Sequence, residues 1–168
     1  MKTLKIFKKP LGFIVITMLC LVVVTLFATV GCDKSETPPV ESYPREMPFI
    51  EYSLAETSCQ WQWTNFGYNK VIIINSDKEL QDYIICTDDN YSKIDFSEHS
   101  LLLAMAHSTS GIRYINIDFL KETANEYTLN VLIHADMTAL ALGRLISIIT
   151  PKIDNGATIL LSVQQTND

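Results

Sequence analysis

The second half of the sequence is dominated by stretches with the hydrophobic pattern of β-strands. Apolar and polar residues alternate over 111–120 and 126–135, as expected for strands that bury one face. Residues 101–107 are a continuous apolar run, which is typical of a central strand, and 144–150 and 157–165 complete the set. Because no clear helix separates these strands, we expect an antiparallel sheet in which each strand pairs with its neighbour in sequence.

Two further β-type segments precede this set. Cys59, Trp61 and Trp63 alternate with polar residues, which predicts a strand with one buried face. The β-branched run at residues 70–75 follows a turn at Gly67. The two strands are therefore expected to form a hairpin.

One helix is predicted between these segments and the later strands. Ser76 and Glu79 have the spacing of a capping box, so the helix is expected to begin at Ser76 and to end near Cys86. Residues 137–143 have a helix-favouring composition between extended neighbours, and we interpret them as a crossover or a short helical turn. Together the patterns predict an α+β fold: a mainly antiparallel β-sheet, as a sandwich or partly open barrel, with one packed helix.

The first 31 residues form a segment of their own, with four lysines, no acidic residue and 21 uncharged, mostly apolar residues over 11–31. A positive start followed by a long apolar run is the pattern of an export signal. A transmembrane anchor is the alternative, because about 20 apolar residues can span a bilayer.

The end of this segment resembles a bacterial lipobox. Small residues at 28–31 are followed by Cys32, with Thr29 at the position usually held by leucine, as in relaxed lipoboxes of Bacteroidetes. The resemblance implies that the chain is cut after Gly31, that the Cys32 thiol takes a diacylglycerol, and that the new amino terminus is acylated, with palmitate as the expected label. Membrane lipid is then the first expected partner, since several acyl chains give stable anchoring.

Residues 32–48 are predicted to be a lipidated linker. They contain four prolines, a composition that gives a partly extended spacer. A single α+β domain is expected over 49–168. By family resemblance, Asp33 beside the anchor favours an outer-membrane lipoprotein of a Gram-negative bacterium, at the periplasmic face or the cell surface.

The cysteines fit an oxidising compartment. With Cys20 in the signal segment and Cys32 lipidated, Cys59 and Cys86 are the pair left for the folded domain. The simplest interpretation is a disulfide between them, and the alternative is two free buried cysteines. A zinc site is not indicated, because the sequence has no CxxC spacing.

Charge excludes one class of partner. From Cys32 onward, the 137 residues carry nine basic and nineteen acidic side chains. This balance lacks the clustered lysine and arginine that bind a phosphate backbone, so no nucleic-acid partner is expected. The length allows one domain with one hydrophobic core.

The sequence contains no catalytic motif. His99, His107 and His134 lack the spacing of HxH or HExxH, and no GxSxG element occurs. We therefore expect no catalytic residue, no metal ligand and no cofactor, and predict that the protein is not an enzyme. A small hydrolase or metalloenzyme, in which a histidine meets a serine or an acid in a cleft, is an alternative.

Binding is the function that remains, and loops on a rigid scaffold are its usual place. One candidate surface is the hairpin tip from Lys121 to Asn125. The other is residues 137–143, where we expect Leu140 and Leu142 to be exposed. Either surface would contact a protein partner.

The aromatic residues suggest a second kind of binding. A glycan-binding surface lipoprotein would expose Trp61 and Trp63 so that they stack on sugar rings. Aromatic residues with a period of two are more often packed in a core, and both tryptophans lie on the predicted buried face of Cys59.

Four stretches resemble a known group of proteins. Residues 75–80 (NSDKEL), 94–104 (IDFSEHSLLLA), 111–112 and 150–152 (TPK) are similar to small Bacteroidetes lipoproteins of unknown function. They are more distantly similar to the C-terminal domain of the protease-complex subunit PrcB. The match implies an extracytoplasmic α+β domain that acts by binding another protein. We therefore expect a non-catalytic, lipid-anchored binding domain.

Overall fold

The computed structural model describes residues 42–67, 69–88 and 90–167, which form two four-stranded β-sheets and a two-stranded pair. The strands are β1 (Arg45–Glu46), β2 (Ile50–Glu51), β3 (Cys59–Trp61), β4 (Val71–Ile74), β5 (Ile84–Cys86), β6 (His99–Ser108), β7 (Ile112–Lys121), β8 (Glu126–Ala135), β9 (Leu142–Pro151) and β10 (Thr158–Thr166). A 3-10 turn at Trp63–Asn65 and one short helix, α1 (Asp77–Leu80), complete the described elements.

The two large sheets pack face to face as an open sandwich. The first sheet has the strand order β1-β7-β8-β10, the second has the order β2-β9-β6-β4, and β3 pairs with β5. Among the described strands, the pairing of β10 with β8 is parallel and the others are antiparallel. The prediction of a mainly antiparallel α+β fold with one helix is confirmed, in its sandwich form.

Alternating residues along the strands build the core between the sheets. On β8, Leu129, Val131 and Ile133 are buried and cluster with Phe119 of β7. The Phe119 ring stacks on Tyr127 with the ring centroids 5.5 Å apart. Burying a side chain of this size contributes about 1.5–3 kcal/mol, so this inter-sheet core stabilises the sandwich.

The central strand β6 is buried on both faces, which explains its unbroken apolar sequence. Leu102 and Ala104 belong to the inter-sheet core. Leu101 and Leu103 belong to a second core, the outer core, which lies under an outer layer formed by β3, β5 and α1. Since β4 and β9 flank the strand, the prediction of a central strand is confirmed.

Helix α1 begins at the predicted capping box. The Ser76 side chain accepts a hydrogen bond from the Glu79 backbone N–H at 3.2 Å, and the Glu79 carboxylate accepts one from the Asn75 N–H at 2.6 Å. The helix ends after one turn at Leu80. The prediction that it continues to near Cys86 is wrong, because that segment pairs with β3 as strand β5.

The predicted hairpin between the Cys59 segment and β4 is also wrong. β3 pairs with β5, whereas β4 pairs with β6 at the edge of the second sheet. β4 is apolar at all four positions, which suits a place between the two cores. β3 alternates between buried and exposed positions and lies in the outer layer.

The last two described strands do not pair with each other, contrary to expectation. β9 pairs with β6 in the second sheet, and β10 runs parallel to β8 in the first. The predicted crossover at 137–143 carries the chain from β8 to the second sheet without a helical turn, but it ends at residue 141, because β9 begins at Leu142. The loop after Pro151 carries the chain back. Because the chain crosses twice, β10 returns beside β8 in the same direction. The predicted β7–β8 hairpin is confirmed.

The described residues test only part of the predictions for the start of the chain. The predicted signal segment 1–31 and Cys32 lie outside the described residues. β1 lies within the predicted linker at 32–48 and pairs with β7, and the Met47 N–H donates to the Phe119 carbonyl at 2.8 Å. In the described ranges, no helix has the length and apolar character needed to cross a membrane.

Candidate functional site

Cys59 and Cys86 form the predicted disulfide. Their Sγ atoms are 1.99 Å apart and their Cα atoms 4.0 Å apart, and the two residues are directly opposite in the β3–β5 pair. Beside the bond, the Ser58 hydroxyl donates to the Asp88 carboxylate, which lowers the pKa of Asp88. The disulfide therefore ties the two strands of the outer layer together.

The three histidines are not brought together. His99 and His107 lie near opposite ends of β6, about 26 Å apart at the usual rise of a strand. His134 stacks on Tyr114 with ring centroids 4.0 Å apart, and its Nε2 lies 3.4 Å from the Asn116 side-chain nitrogen. In the residues that the structure describes, no group of three His, Cys, Asp or Glu side chains could hold a metal ion. These positions give no support to the hydrolase or metalloenzyme alternative.

The two predicted contact surfaces lie at opposite ends of the sandwich. Lys121 and Asn125 are at the β7–β8 hairpin tip, where the Lys121 ammonium lies 5.9 Å from the centroid of the Tyr127 ring. Leu140 and Leu142 are at the other end, 61% and 38% exposed respectively, as the sequence predicts. Because ten-residue strands separate them, the two surfaces cannot belong to one small contact.

Along one side of the sandwich, short strands cover the edges of the two sheets only in the half nearest the β7–β8 hairpin tip. There, β1 pairs with the end of β7 and β2 pairs with the end of β9. Farther along, residues 112–118 of β7 and 142–146 of β9 have a strand partner on one side only, as far as the described chain extends. A groove of about 680 Å³, here called the side groove, opens between these two segments.

The side groove combines apolar walls with an aromatic rim and a few charges. Its lining consists of apolar Ile112, Ile115, Ile117, Leu142, Leu145 and Ile146, aromatic Tyr52, Trp61, Trp63 and Tyr114, small or hydroxylated Ser53, Gly143 and Ser147, and charged Glu51, Arg113 and Arg144. Ligand sites of roughly 300–1,000 Å³ with apolar walls and a few placed polar groups are common in proteins.

Trp61 and Trp63 occupy different environments. Trp61 is half-buried and packs edge-on against Tyr52 and Phe66, at ring-centroid distances of 6.1 and 6.3 Å. Trp63 is 57% exposed and lies 6.1 Å from the Phe66 centroid. β3 ends at Trp61, so Trp63 does not share the buried face of Cys59 as predicted. Trp61 therefore supports the aromatic rim, whereas Trp63 is exposed to solvent.

Tyr52 connects this rim to the rest of the domain. Its hydroxyl donates to the Ser92 carbonyl at 2.9 Å, and its backbone N–H donates to the Ser147 carbonyl at 2.9 Å. Burial raises the pKa of Tyr52 to about 12, and Tyr91 and Asp77 add to the shift. The phenol is therefore a neutral, fixed part of the groove wall at neutral pH.

The charge of the side groove differs from that of the domain around it. Residues 42–167 contain eight Lys and Arg and fifteen Asp and Glu. The groove lining instead contains Arg113 and Arg144 against a single acid, Glu51. The lining itself therefore carries a net charge of +1 within an acidic domain, and Asp136 of the neighbouring turn lies close enough to Arg113 to offset part of its charge.

A turn at Gly111 determines the end of the groove farthest from the hairpin tip. The Gly111 N–H donates to the Thr138 carbonyl at 3.1 Å, and the Asp136 N–H donates to the Gly111 carbonyl at 3.0 Å. A Cβ at residue 111 would overlap the side chains of Asp136 and Thr138. Hydrogen bonds from Thr138 lower the pKa of Asp136, and the charge of Arg113 lowers it further. The turn therefore ties the crossover to the strand that carries Arg113.

Trp61, Trp63 and Leu142 were predicted from the sequence as candidate binding residues, whereas Arg113 and Arg144 were not. The two arginines are about thirty positions apart, on strands of different sheets. They line one groove because β9 crosses to the second sheet, and no local pattern indicates that crossing. The signal in the sequence was limited to a charged side chain near the start of each apolar strand.

No protein-family model matches the chain, and neither does any curated protein or solved structure.

Proposed function

We propose that the protein is a non-catalytic binding domain, held at the outer membrane by a lipid on Cys32, and that the side groove is the site where it binds a partner. One observation carries the proposal. An exposed tryptophan, Trp63, lies with Arg113 and Arg144 along a groove between two strand edges that lack a partner in the described chain.

Exposed apolar side chains around the groove support a binding role. Tyr114 is 49% exposed, and in the neighbouring crossover Met137 is fully exposed and Leu140 is 61% exposed. Large apolar side chains that are grouped rather than scattered are typical of interaction sites. The contact surface that we propose includes Leu140 and Leu142 and continues into the side groove. The tip at Lys121 and Asn125 is a separate surface.

The chemistry of the lining supports binding rather than catalysis. Among the residues that the structure describes, Glu51 is the one carboxylate of the lining, and neither histidine nor cysteine is present there. A hydroxyl nucleophile needs a neighbouring base. The Ser147 hydroxyl instead donates to the Tyr52 carbonyl, which uses its proton in a structural hydrogen bond.

A second candidate function is glycan binding. Trp63 is a half-exposed lining residue of the side groove, and an exposed aromatic face is what stacks on a sugar ring. Tyr114 also lines the groove, but His134 covers one face of its ring. The arginines favour a charged ligand over a neutral glycan, so we rank this function second.

Site-specific photo-crosslinking in growing cells tests the proposal. A photoreactive amino acid replaces Trp63 in the full chain, and a matched variant carries it at Ile85, which is 52% exposed on the outer layer and does not line the groove. We expect adducts at position 63 that are absent at position 85. Equal adducts at both positions, or none at either, would contradict the groove as the binding site. Turnover of a substrate that depends on His107 or His134 would contradict the non-catalytic assignment.

A further inference from the structure

Building on the proposed function, we propose that the ligand of the side groove is an extended, acidic segment of a partner protein, which adds as a new strand to the edge of β9 at residues 142–146.

The backbone of β9 is oriented for such an addition. The Ser147 carbonyl accepts from the Tyr52 N–H, so at this residue the backbone polar groups point away from β6. Backbone direction alternates along a strand, which directs the N–H and C=O of Leu145 and Gly143 to the same side. The edge that β2 occupies at Ile148 and Ile149 therefore continues into the groove. An added strand would pair with β9 along the same edge as β2, next to the end of β2.

The facing strand is less suited to pairing. The β7–β8 register shifts between Ile112 and Tyr114, which makes Arg113 the extra residue of a bulge. Bulges twist a strand edge and protect it from a further partner. The β6–β9 register, in contrast, runs without a shift from one end to the other. Residues 142–146 thus offer a regular edge of about 17 Å, enough for a five-residue partner.

Side chains beside this edge define the pattern of the partner. Ile146 belongs to the inter-sheet core and Leu145 to the outer core, so the two faces of β9 differ. By alternation, Arg144 lies on the Ile146 face. Trp61 packs in the outer core with Leu145. A strand added here places alternate side chains toward the arginine on one face and toward the tryptophan on the other. The complementary segment therefore alternates acidic and apolar residues.

Peptide selection against the purified full-length protein tests this inference. A phage-displayed library of random octapeptides is panned against the protein in detergent micelles. We expect the enriched peptides to alternate acidic and apolar residues. The best peptide is then synthesised in two forms, one ordinary and one N-methylated at the alternate residues whose N–H groups would face β9, which removes those donors but keeps the side chains. We expect the ordinary form to bind and to slow amide exchange at Gly143 and Leu145, whose N–H groups face the open edge, and the N-methylated form to lose binding.

Two protein variants test the charge complementarity. Arg144→Glu should weaken binding of the ordinary peptide about tenfold, since an attraction becomes a repulsion. Lys70→Glu makes the same charge change beside β4, at the opposite edge of the second sheet, and should leave affinity unchanged. Equal weakening in both variants would assign the effect to net charge and overturn the role of the groove.

Three other results would overturn strand addition. They are equal binding of the N-methylated peptide, enrichment of basic peptides or of none, and a concentration-dependent dimer of the protein that protects the same edge. If a panel of soluble glycans binds and protects Trp63 from fluorescence quenching while no peptide is selected, the groove stays a binding site and only the peptide inference fails. If the crosslinks at position 63 are also absent, the proposed function fails with it.

Discussion

Loss of the disulfide should weaken the domain by an amount that follows from the chain length it closes. The bond joins residues 27 positions apart. In the chain-entropy relation, a closed loop of this length stabilises the folded state by about 3.5 kcal/mol at 25 °C, because it restricts the unfolded chain. The double variant Cys59→Ala, Cys86→Ala should lose stability by this amount, and slightly more because Cys59 is buried.

Urea unfolding of the purified protein measures the loss. Tryptophan fluorescence reports on the outer layer and circular dichroism on the sheets. With a denaturant slope of roughly 1.5–2 kcal/mol per molar, the midpoint should fall by about 2 M. The unsubstituted protein, unfolded in the presence of reductant, is the control and should show the same fall. If the urea midpoint falls by less than about 0.5 M in both the double variant and the reduced protein, the loop-closure reasoning is refuted.

Four further changes have defined outcomes. Cys32→Ala should abolish incorporation of radiolabelled palmitate and leave the precursor uncut, and equal labelling would remove the lipobox interpretation. Gly111→Ala should lower stability by about 1–3 kcal/mol in thermal unfolding, because the new methyl group overlaps two side chains, whereas Gly156→Ala meets nothing within 4 Å and serves as the control. Because burial raises the folded-state pKa of Tyr52 to about 12, its contribution to the free energy of unfolding should be fully present below pH 10 and should be lost from pH 10 to 12. Urea midpoints measured across that range should therefore fall less in Tyr52→Phe than in the unsubstituted protein. Leu140→Asp should reduce capture of a partner from outer-membrane extract without a change in melting temperature, since this side chain is 61% exposed; a lower melting temperature would instead show a packing role.

Local sequence signals predicted the local features of this fold. The capping box of Ser76 and Glu79 forms, because it depends on residues three positions apart. The β7–β8 hairpin is predicted by the alternation of apolar and polar residues in both strands, and the burial of β6 on both faces is predicted by its continuous apolar run. The disulfide was predicted by counting the cysteines that remain for the folded domain once Cys20 and Cys32 are assigned to the predicted signal segment and lipid anchor.

Features that depend on distant segments were not predicted. Alternation shows that β9 and β10 are strands with a buried face, but not which sheet that face covers. The crossover before Leu142 separates β9 from β8, and the groove beside Arg144 exists only because of that separation. The short helix shows a related limit, since the pairing of β3 with β5 overrides the helical tendency beyond Leu80.

The position of β6 between two cores has a consequence for how the domain unfolds. Opening the outer layer exposes Leu101 and Leu103, and opening the sandwich exposes Leu102 and Ala104 of the same strand. Because β6 contributes side chains to both cores, disrupting either core exposes one of its two buried faces and weakens the strand that the other core needs. The layers should therefore unfold as one cooperative unit rather than in succession. The amide hydrogens of β6 should consequently exchange with solvent only through global unfolding, at the slowest rate in the domain. A substitution in the outer layer would then change the exchange rate of residues in the opposite sheet that it never touches.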